Sequence, residues 1–268
     1  MKPILFNTEM VKAILDGRKT ATRRSPFQFE MKPGYNPSWS GYSLGEYCTG
    51  HIESGVCLYS RGAHDVWGVR SNVVKPRYQA GDILYVRETW QQGYTLDGND
   101  QIIEDTGRYF YAAGPDEFLP HFSFWLDPDT GEHKEYMPWR PSIHMPKEAA
   151  RIFLRVKAVR AERLQDINGQ GRHDDILKEG IRGYTKDGEL YKFCTDIDSW
   201  IDFHRKHERR FKFKGSFWQD MPRTPVEAFK FLWNSTIKEG DYGSFWESNP
   251  WVWVIEFDRI SKEEALQG

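Results

Sequence analysis

The sequence predicts an α+β fold, in which short helices accompany strands. Apolar residues recur at helical spacing in 10–15 and again in 229–233. They alternate with polar residues in 151–158 and in 251–258, which is the period of a strand with one buried face. The presence of both periodicities along one chain indicates this fold class.

The first helix and strand are predicted on either side of a turn at Gly17. Glu9 favours the first helical turn, and Gly17 supplies the left-handed residue that ends the helix. The threonines after the turn suit an extended segment. We therefore place Lys19 on the turn, and Thr22 and Arg24 on one face of the strand that follows.

The remaining elements follow from similar patterns. Thr224, Pro225 and Glu227 indicate a helix start, because a hydroxyl cap, a proline and a glutamate three residues after the cap suit the first turn. A short helix is predicted for 173–179, and Gly180 closes it. Strands are predicted at 83–86, 108–113, 151–158 and 251–258, and an amphipathic helix near 197–201.

Composition and charge exclude some broad classes. The chain has 268 residues and a formal net charge of −2, and this small charge argues against general polyanion binding. It has no apolar run of about 18 residues and no signal peptide at its start, so we expect a cytoplasmic protein without a membrane partner. Its 3 cysteines are an odd number and suit a reducing compartment.

Segments with little periodicity separate these elements. Residues 25–80 are rich in Gly, Ser, Pro, Tyr and Asn, and residues 91–138 and 183–222 interrupt the pattern again. We interpret the three segments as insertions in a single domain of residues 1–260, followed by a tail at 261–268. The first insertion is expected to rim or cover a site.

A hydroxyl and an amine lie close together in the run around Lys19. The hydroxyl of Thr22 is a poor nucleophile until a base takes its proton. Arg18, Arg23 and Arg24 surround Lys19 in the sequence, and like charges disfavour its ammonium form. Lys19 is therefore a candidate base for Thr22, although a run of charges is also typical of a solvated basic turn.

Five blocks of the chain, in order, resemble parts of the ASCH-domain proteins, the activating-signal-cointegrator homology family of the PUA-like superfamily. The blocks lie at 2–24, 81–90, 139–146, 162–167 with 178–181, and 249–257. Together they span nearly the whole chain. The resemblance implies a small, mixed and strongly curved sheet of the PUA-like barrel type, with flanking helices and long insertions.

The resemblance also implies an activity. Some ASCH proteins are amidohydrolases that remove the acyl group of N4-acetylcytidine with a lysine, a threonine and a glutamate. Their lysine and threonine lie in a G-R-K-T-x-T-x-R run, and residues 17–24 contain that run. The resemblance therefore assigns Lys19 as the base and Thr22 as the nucleophile, with Arg24 in the place of the adjacent arginine.

The glutamate of that mechanism is expected on the helix after the central strands. Glu179 is the best match, and Asp174 and Asp175 are the nearest alternatives. Amide hydrolysis also needs donors for the developing oxyanion and an acid for the departing nitrogen. Arg24 or backbone amides supply the donors and Glu179 the acid, so no metal ion or other cofactor is expected. The expected partner is a small modified nucleoside.

Glu88 and Trp90 follow the strand predicted at 83–86 and offer a hydrogen-bond acceptor and a stacking face. We expect them to shape the substrate pocket. A structural ion pair of Glu88 with Arg87 or Arg24, beside a tryptophan in the core, would explain both residues equally well.

Two other groups have competing interpretations. Zinc binding and free cysteines in an insertion are the two readings of Cys48, His51, Cys57 and His64, whose spacing matches no standard zinc finger. The basic run 205–214, with phenylalanines interleaved, either contacts phosphates or is a solvated helix end.

The alternative function is RNA binding or RNA processing, ribonuclease-like, without amidohydrolase activity. PUA-like folds commonly recognise RNA, and the basic runs at 18–24 and 205–214 favour this alternative. The small net charge and the complete run at 17–24 favour the hydrolase, so RNA is the less favoured partner. The sequence carries no signal for an oligomeric state.

Overall fold

The structure is a computed structural model that describes residues 1–25, 42–49, 53–65, 68–96, 99, 102–114, 125–126, 133–134, 139–168, 173–186, 190–211, 215–237 and 245–267. Side chains are described in 1–25, 75–92, 99, 109–114, 139–167, 174–186, 191–206, 215–237 and 245–267. Helices and strands both occur, so the α+β class is confirmed.

The strands are β1 (Lys2–Leu5), β2 (Ala21–Arg24), β3 (Tyr42–Thr49), β4 (Glu53–Asp65), β5 (Gly68–Val74), β6 (Ile83–Arg87), β7 (Trp90–Leu96), β8 (Ile102–Tyr111), β9 (Trp125–Leu126), β10 (His133–Lys134), β11 (Phe153–Arg163), β12 (Arg182–Lys186), β13 (Leu190–Cys194) and β14 (Trp251–Ile260). The helices are α1 (Thr8–Leu15), α2 (His173–Leu177), α3 (Ile197–Phe211), α4 (Phe217–Asp220), α5 (Pro225–Thr236) and α6 (Lys262–Gln267). Short 3₁₀ helices cover Ser142–His144, Lys147–Ala149, Leu164–Asn168 and Trp246–Ser248.

The main sheet has five strands in the order β1-β6-β11-β14-β2. β1 pairs with β6 in parallel and the other pairs are antiparallel, so the sheet is mixed. The expected barrel closure is wrong for the described residues, because β1 and β2 remain the two edges and share no backbone ladder. A side chain joins these edges instead: Arg24 Nη2 on β2 donates to the Leu5 carbonyl on β1 over 2.5 Å.

Both faces of the main sheet are covered. On one face, α1 packs its Val11 and Ile14 against Phe257 of β14. On the other, Phe229 of α5 packs against Val254 of β14. Since neighbouring residues of a strand point to opposite faces, β14 is a central strand buried on both sides. The first helix and α5 therefore lie on opposite faces of the sheet.

The predicted helix signals are confirmed where caps define them. The side chain of Asn7 accepts a hydrogen bond from the Met10 amide and caps α1, while Gly17 follows its end at φ 74°. α5 begins with the predicted capping box, in which Thr224 accepts from the Glu227 amide and Glu227 reaches back to the cap. The helix predicted for 173–179 is shorter, because α2 ends at Leu177.

The segment 25–80, interpreted as a long insertion, contains a three-stranded antiparallel sheet in the order β3-β4-β5. The sequence does not predict these strands. Gly, Ser and Tyr are frequent in these strands, so no alternation of apolar and polar residues marks them in the sequence. Two-stranded ladders β7-β8, β9-β10 and β12-β13 lie in the other two segments interpreted as insertions.

Within the described residues, no helix combines the length and the apolar character required to cross a bilayer.

Gly180, directly after Glu179, has a φ of 94°, and a Cβ added there would lie 2.7 Å from the Cβ of Ala13 on α1. We expect Gly180→Ala to lower the free energy of unfolding by about 3 kcal/mol, because strained backbone and steric overlap add together. Gly81→Ala is the matched control, since Gly81 has φ 89° but no atom within 4 Å of the added Cβ. It should cost about 1–2 kcal/mol. Urea unfolding measures both, and equal losses would contradict a role for close packing against α1.

Candidate functional site

The turn after α1 is held between two distant parts of the chain. Lys19 forms an isolated antiparallel bridge with Glu179, and the amides of Thr20 and Ala21 both donate to the Lys178 carbonyl, over 2.9 and 3.0 Å. On the other side, the amide of Phe257 donates to the Thr20 carbonyl over 2.9 Å. The residue after α2 and the central strand β14 therefore fix the backbone that carries Lys19.

Lys19 is buried, with a side chain that is 0% exposed. Its Nζ lies 2.7 Å from Glu179 Oε2 and donates to the carbonyls of Ala21 and Glu179 over 2.9 and 3.1 Å. The three protons of the ammonium group thus have three acceptors within the protein. The structure excludes a solvated basic turn at this position.

Burial lowers the pKa of Lys19 from its ordinary value of 10.5, because the ammonium form loses its hydration. Glu179 opposes this effect, while the positive charges of Arg24 and Arg23 lower the pKa further. The sequence indicated like charge as the cause, but burial is the larger one. Arg18 points elsewhere, to Asp16 at 2.9 Å and to backbone carbonyls.

The carboxylate of Glu179 joins two cations. Its Oε2 contacts Lys19, and its Oε1 accepts from Arg23 Nη1 over 3.0 Å. Of the three acids proposed for the catalytic carboxylate, Glu179 is the one that contacts Lys19. Asp175 instead pairs with Arg160 and Lys178, and Asp174 is exposed.

Thr22 lies on β2 opposite Ile255 of β14 and is 2% exposed. It borders a small cleft that is partly open to solvent. Residues of α1, β2 and α5 line this cleft together with Glu179: Met10, Thr22, Arg23, Arg24, Phe229, Leu232, Trp233 and Thr236. The described residues show no hydrogen bond between the Thr22 hydroxyl and Lys19 Nζ; Glu179, which contacts Lys19, lines the same cleft as Thr22.

Arg24 borders the same cleft and lies over the ring of Phe6, with its guanidinium carbon 4.9 Å from the ring centroid. Its Nη2 bonds the Leu5 carbonyl. Its Nε is buried and has no partner in the described part of the chain. A buried N–H without an acceptor is costly, so this donor is suited to a ligand that brings an acceptor.

Glu88 and Trp90 do not line this cleft. Glu88 is 1% exposed, and both of its oxygens accept hydrogen bonds from Arg151, over 2.9 and 2.8 Å. Trp90 packs in an apolar cluster with Met145 and Phe153, under the guanidinium of Arg140. Glu88 therefore forms a structural ion pair and Trp90 lies in the core, as in the alternative to a substrate pocket given above. The partner of Glu88 is Arg151 rather than Arg87 or Arg24.

Arg23 is the site residue that sequence reasoning missed, because it entered only as a charge near Lys19. The structure places it against Glu179, 156 positions away in the chain. Nothing in a basic run distinguishes the arginine that turns inward from its neighbours, so no sequence signal could have found this contact.

The set Cys48, His51, Cys57 and His64 has its side chains outside the described residues, and so does most of the basic run 205–214. Within the described part of the chain, no three residues of the types His, Cys, Asp and Glu are grouped so that they could hold a metal ion.

The fold and site together define an α+β protein with a buried lysine–glutamate pair beside a threonine in a cleft. The chain matches none of the protein-family models, curated proteins or solved structures with which it was compared.

Proposed function

We propose that this protein is a metal-independent amidohydrolase that cleaves the N4-acyl amide of N4-acetylcytidine and related N4-acylated cytosines, with a PUA-like fold of the ASCH type. The observation that carries the proposal is the contact of 2.7 Å between Lys19 and Glu179, buried beside the cleft that Thr22 borders. These are the lysine, threonine and glutamate that the resemblance assigns to catalysis.

In the proposed reaction, the Thr22 hydroxyl attacks the acyl carbon and forms an acyl-enzyme, while Lys19 takes the hydroxyl proton. Lys19 must be neutral to act as a base, and its burial favours that form. A catalytic hydrogen bond is often long in the free enzyme and shortens only when substrate binds. Until substrate binds, the hydrogen bond with Glu179 holds the Lys19 amine in the site.

The oxyanion and the leaving group need one partner each. Arg24 borders the cleft and has a buried Nε without an acceptor in the described part of the chain, which suits it to stabilise the oxyanion. Glu179 relays the proton from Lys19 to the departing nitrogen as the C–N bond breaks, and the negative charge that develops on that nitrogen before the proton arrives delocalises into the cytosine ring. Water then hydrolyses the acyl-enzyme by the same groups, which releases the carboxylate.

The RNA-binding alternative receives less support from the first basic run. Lys19 and Arg23 are buried and paired with Glu179 inside the protein, so neither can contact a phosphate backbone. Counterion release on backbone contact would require these charges at the surface.

An absorbance assay with N4-acetylcytidine tests the proposal. We expect conversion to cytidine that persists in the presence of a chelator and changes little with salt, since a neutral nucleoside releases no counterions. Absence of conversion of N4-acetylcytidine and of longer acyl analogues by the folded protein would overturn the proposal and leave RNA binding as the leading function.

A further inference from the structure

We propose that Arg23 is a positioning residue that fixes the Glu179 carboxylate in the orientation in which it meets Lys19 and, by taking a share of the carboxylate's charge, weakens its hold on the Lys19 proton. This inference rests on the proposed function, but its central claim concerns the protonation of Lys19 and can be measured without turnover.

The first support is the geometry of the contact. Arg23 has a side chain that is 1% exposed, and its Nη1 lies 3.0 Å from Glu179 Oε1. Lys19 binds the other oxygen, Oε2. Each oxygen of one carboxylate is therefore assigned to a different cation. Rotation of the carboxylate would break both contacts, so Arg23 fixes the orientation in which Glu179 meets Lys19.

The second support is that Arg23 is itself held from the opposite side. Its Nη2 lies 3.5 Å from Glu162 of β11 and 3.9 Å from Asp175 of α2. Arg160 in turn bonds Glu162 over 2.6 Å and also contacts Glu256 of β14. This network fixes the guanidinium at one end while Glu179 accepts from it at the other.

The third support is the charge around Lys19. The carboxylate of Glu179 faces its amine. The positive charges of Arg23 and Arg24 on β2 lower the pKa of Lys19. The carboxylate of Glu9 on α1 also interacts with Lys19 electrostatically. Glu179 alone would favour the ammonium form of Lys19. Arg23 draws on the same carboxylate and adds a like charge, and both effects favour the neutral amine.

Arg23→Gln tests the inference, because glutamine keeps a hydrogen-bond donor and removes the charge. We expect the pKa of Lys19 to rise by about one unit, and the acidic limb of the pH profile of kcat/KM to move to higher pH by the same amount. Arg23→Lys restores the charge and should keep both values near those of the wild type. Arg259→Gln, which alters an arginine outside the network, is the matched control.

The pKa of Lys19 is read from the NMR titration of protein labelled with ¹³C in its lysine side chains. The signal of Lys19 is identified by its loss in Lys19→Met. A purely structural role for Arg23 would scale the whole pH profile without moving it and would leave the Lys19 titration unchanged. Either observation overturns the inference. If the wild type hydrolyses no N4-acylcytidine, the proposed function fails, whereas the titration still decides the effect of Arg23.

Glu162→Gln provides a second and opposite test, which also serves if Arg23→Gln does not fold. Without the charge of Glu162, Arg23 is left to Glu179 more completely, so the pKa of Lys19 should fall. An upward shift, or none, contradicts the inference.

Discussion

We expect Thr22→Ala to lower the kcat of the proposed hydrolysis of N4-acetylcytidine by about 10³-fold or more, because removal of the proposed nucleophile eliminates the acyl-enzyme route. Thr22→Ser retains a hydroxyl at the same place and should retain measurable activity. The absorbance assay measures all three proteins.

Thr20→Ala is the matched control for this change. Thr20 lies on the same turn but does not line the cleft, and only its backbone carries the contacts with Lys178 and Phe257. Removal of the Thr20 hydroxyl in Thr20→Ala should leave kcat within about twofold of the wild-type value. Full activity in Thr22→Ala would show that Thr22 is not the nucleophile.

Glu179→Leu lowers the free energy of unfolding by about 3–5 kcal/mol, because it leaves Lys19 and Arg23 buried without their shared counter-charge. The double variant Lys19→Met with Glu179→Leu should recover much of this loss, since it also removes one of the two uncompensated charges. Denaturant unfolding of the single and double variants measures the difference.

The contact between Lys19 and Glu179 also determines how the stability of Glu179→Leu changes with pH. Without Glu179, the pKa of Lys19 in the folded protein falls further below 10.5, so the unfolded chain binds more protons and stability rises with pH. The deficit of Glu179→Leu relative to the wild type should therefore shrink as the pH rises toward the lowered pKa that Lys19 has in the folded wild type. Asp174→Leu alters an exposed acid of α2 and should change stability by less than about 0.5 kcal/mol. A deficit in Glu179→Leu as small as this one would contradict a buried charge network.

The parts of the fold that could be predicted from the sequence are those fixed by neighbouring residues. The capping box of Thr224 and Glu227 lies within four positions, and the left-handed Gly17 acts on the turn that precedes it. Pairing of strands is different, because β2 meets β14 across more than two hundred residues. No local pattern shows whether the edges of such a sheet close, and among the described strands they do not.

The residues of the candidate site also fall into two groups, those that a local sequence pattern marks and those that only the folded chain brings together. Lys19 and Thr22 could be singled out because they lie in one run with a recognisable spacing. Glu179 could be proposed only through a resemblance, since its contact with Lys19 depends on how α2 meets the turn. The partner of Glu88 could not be predicted, because Arg151 lies 63 positions further along the chain.

The pairing of β2 has a consequence for synthesis on the ribosome. In the described sheet, the strand that carries Thr22 bonds β14 alone, and the turn before it bonds Lys178 and Phe257. At the usual rate of ~5–20 residues per second, these partners emerge on the order of ten seconds or more after Thr22. The nascent chain therefore holds the strand that carries Thr22 without its β14 partner until residues 251–260 leave the exit tunnel, so the described sheet is not complete before that point.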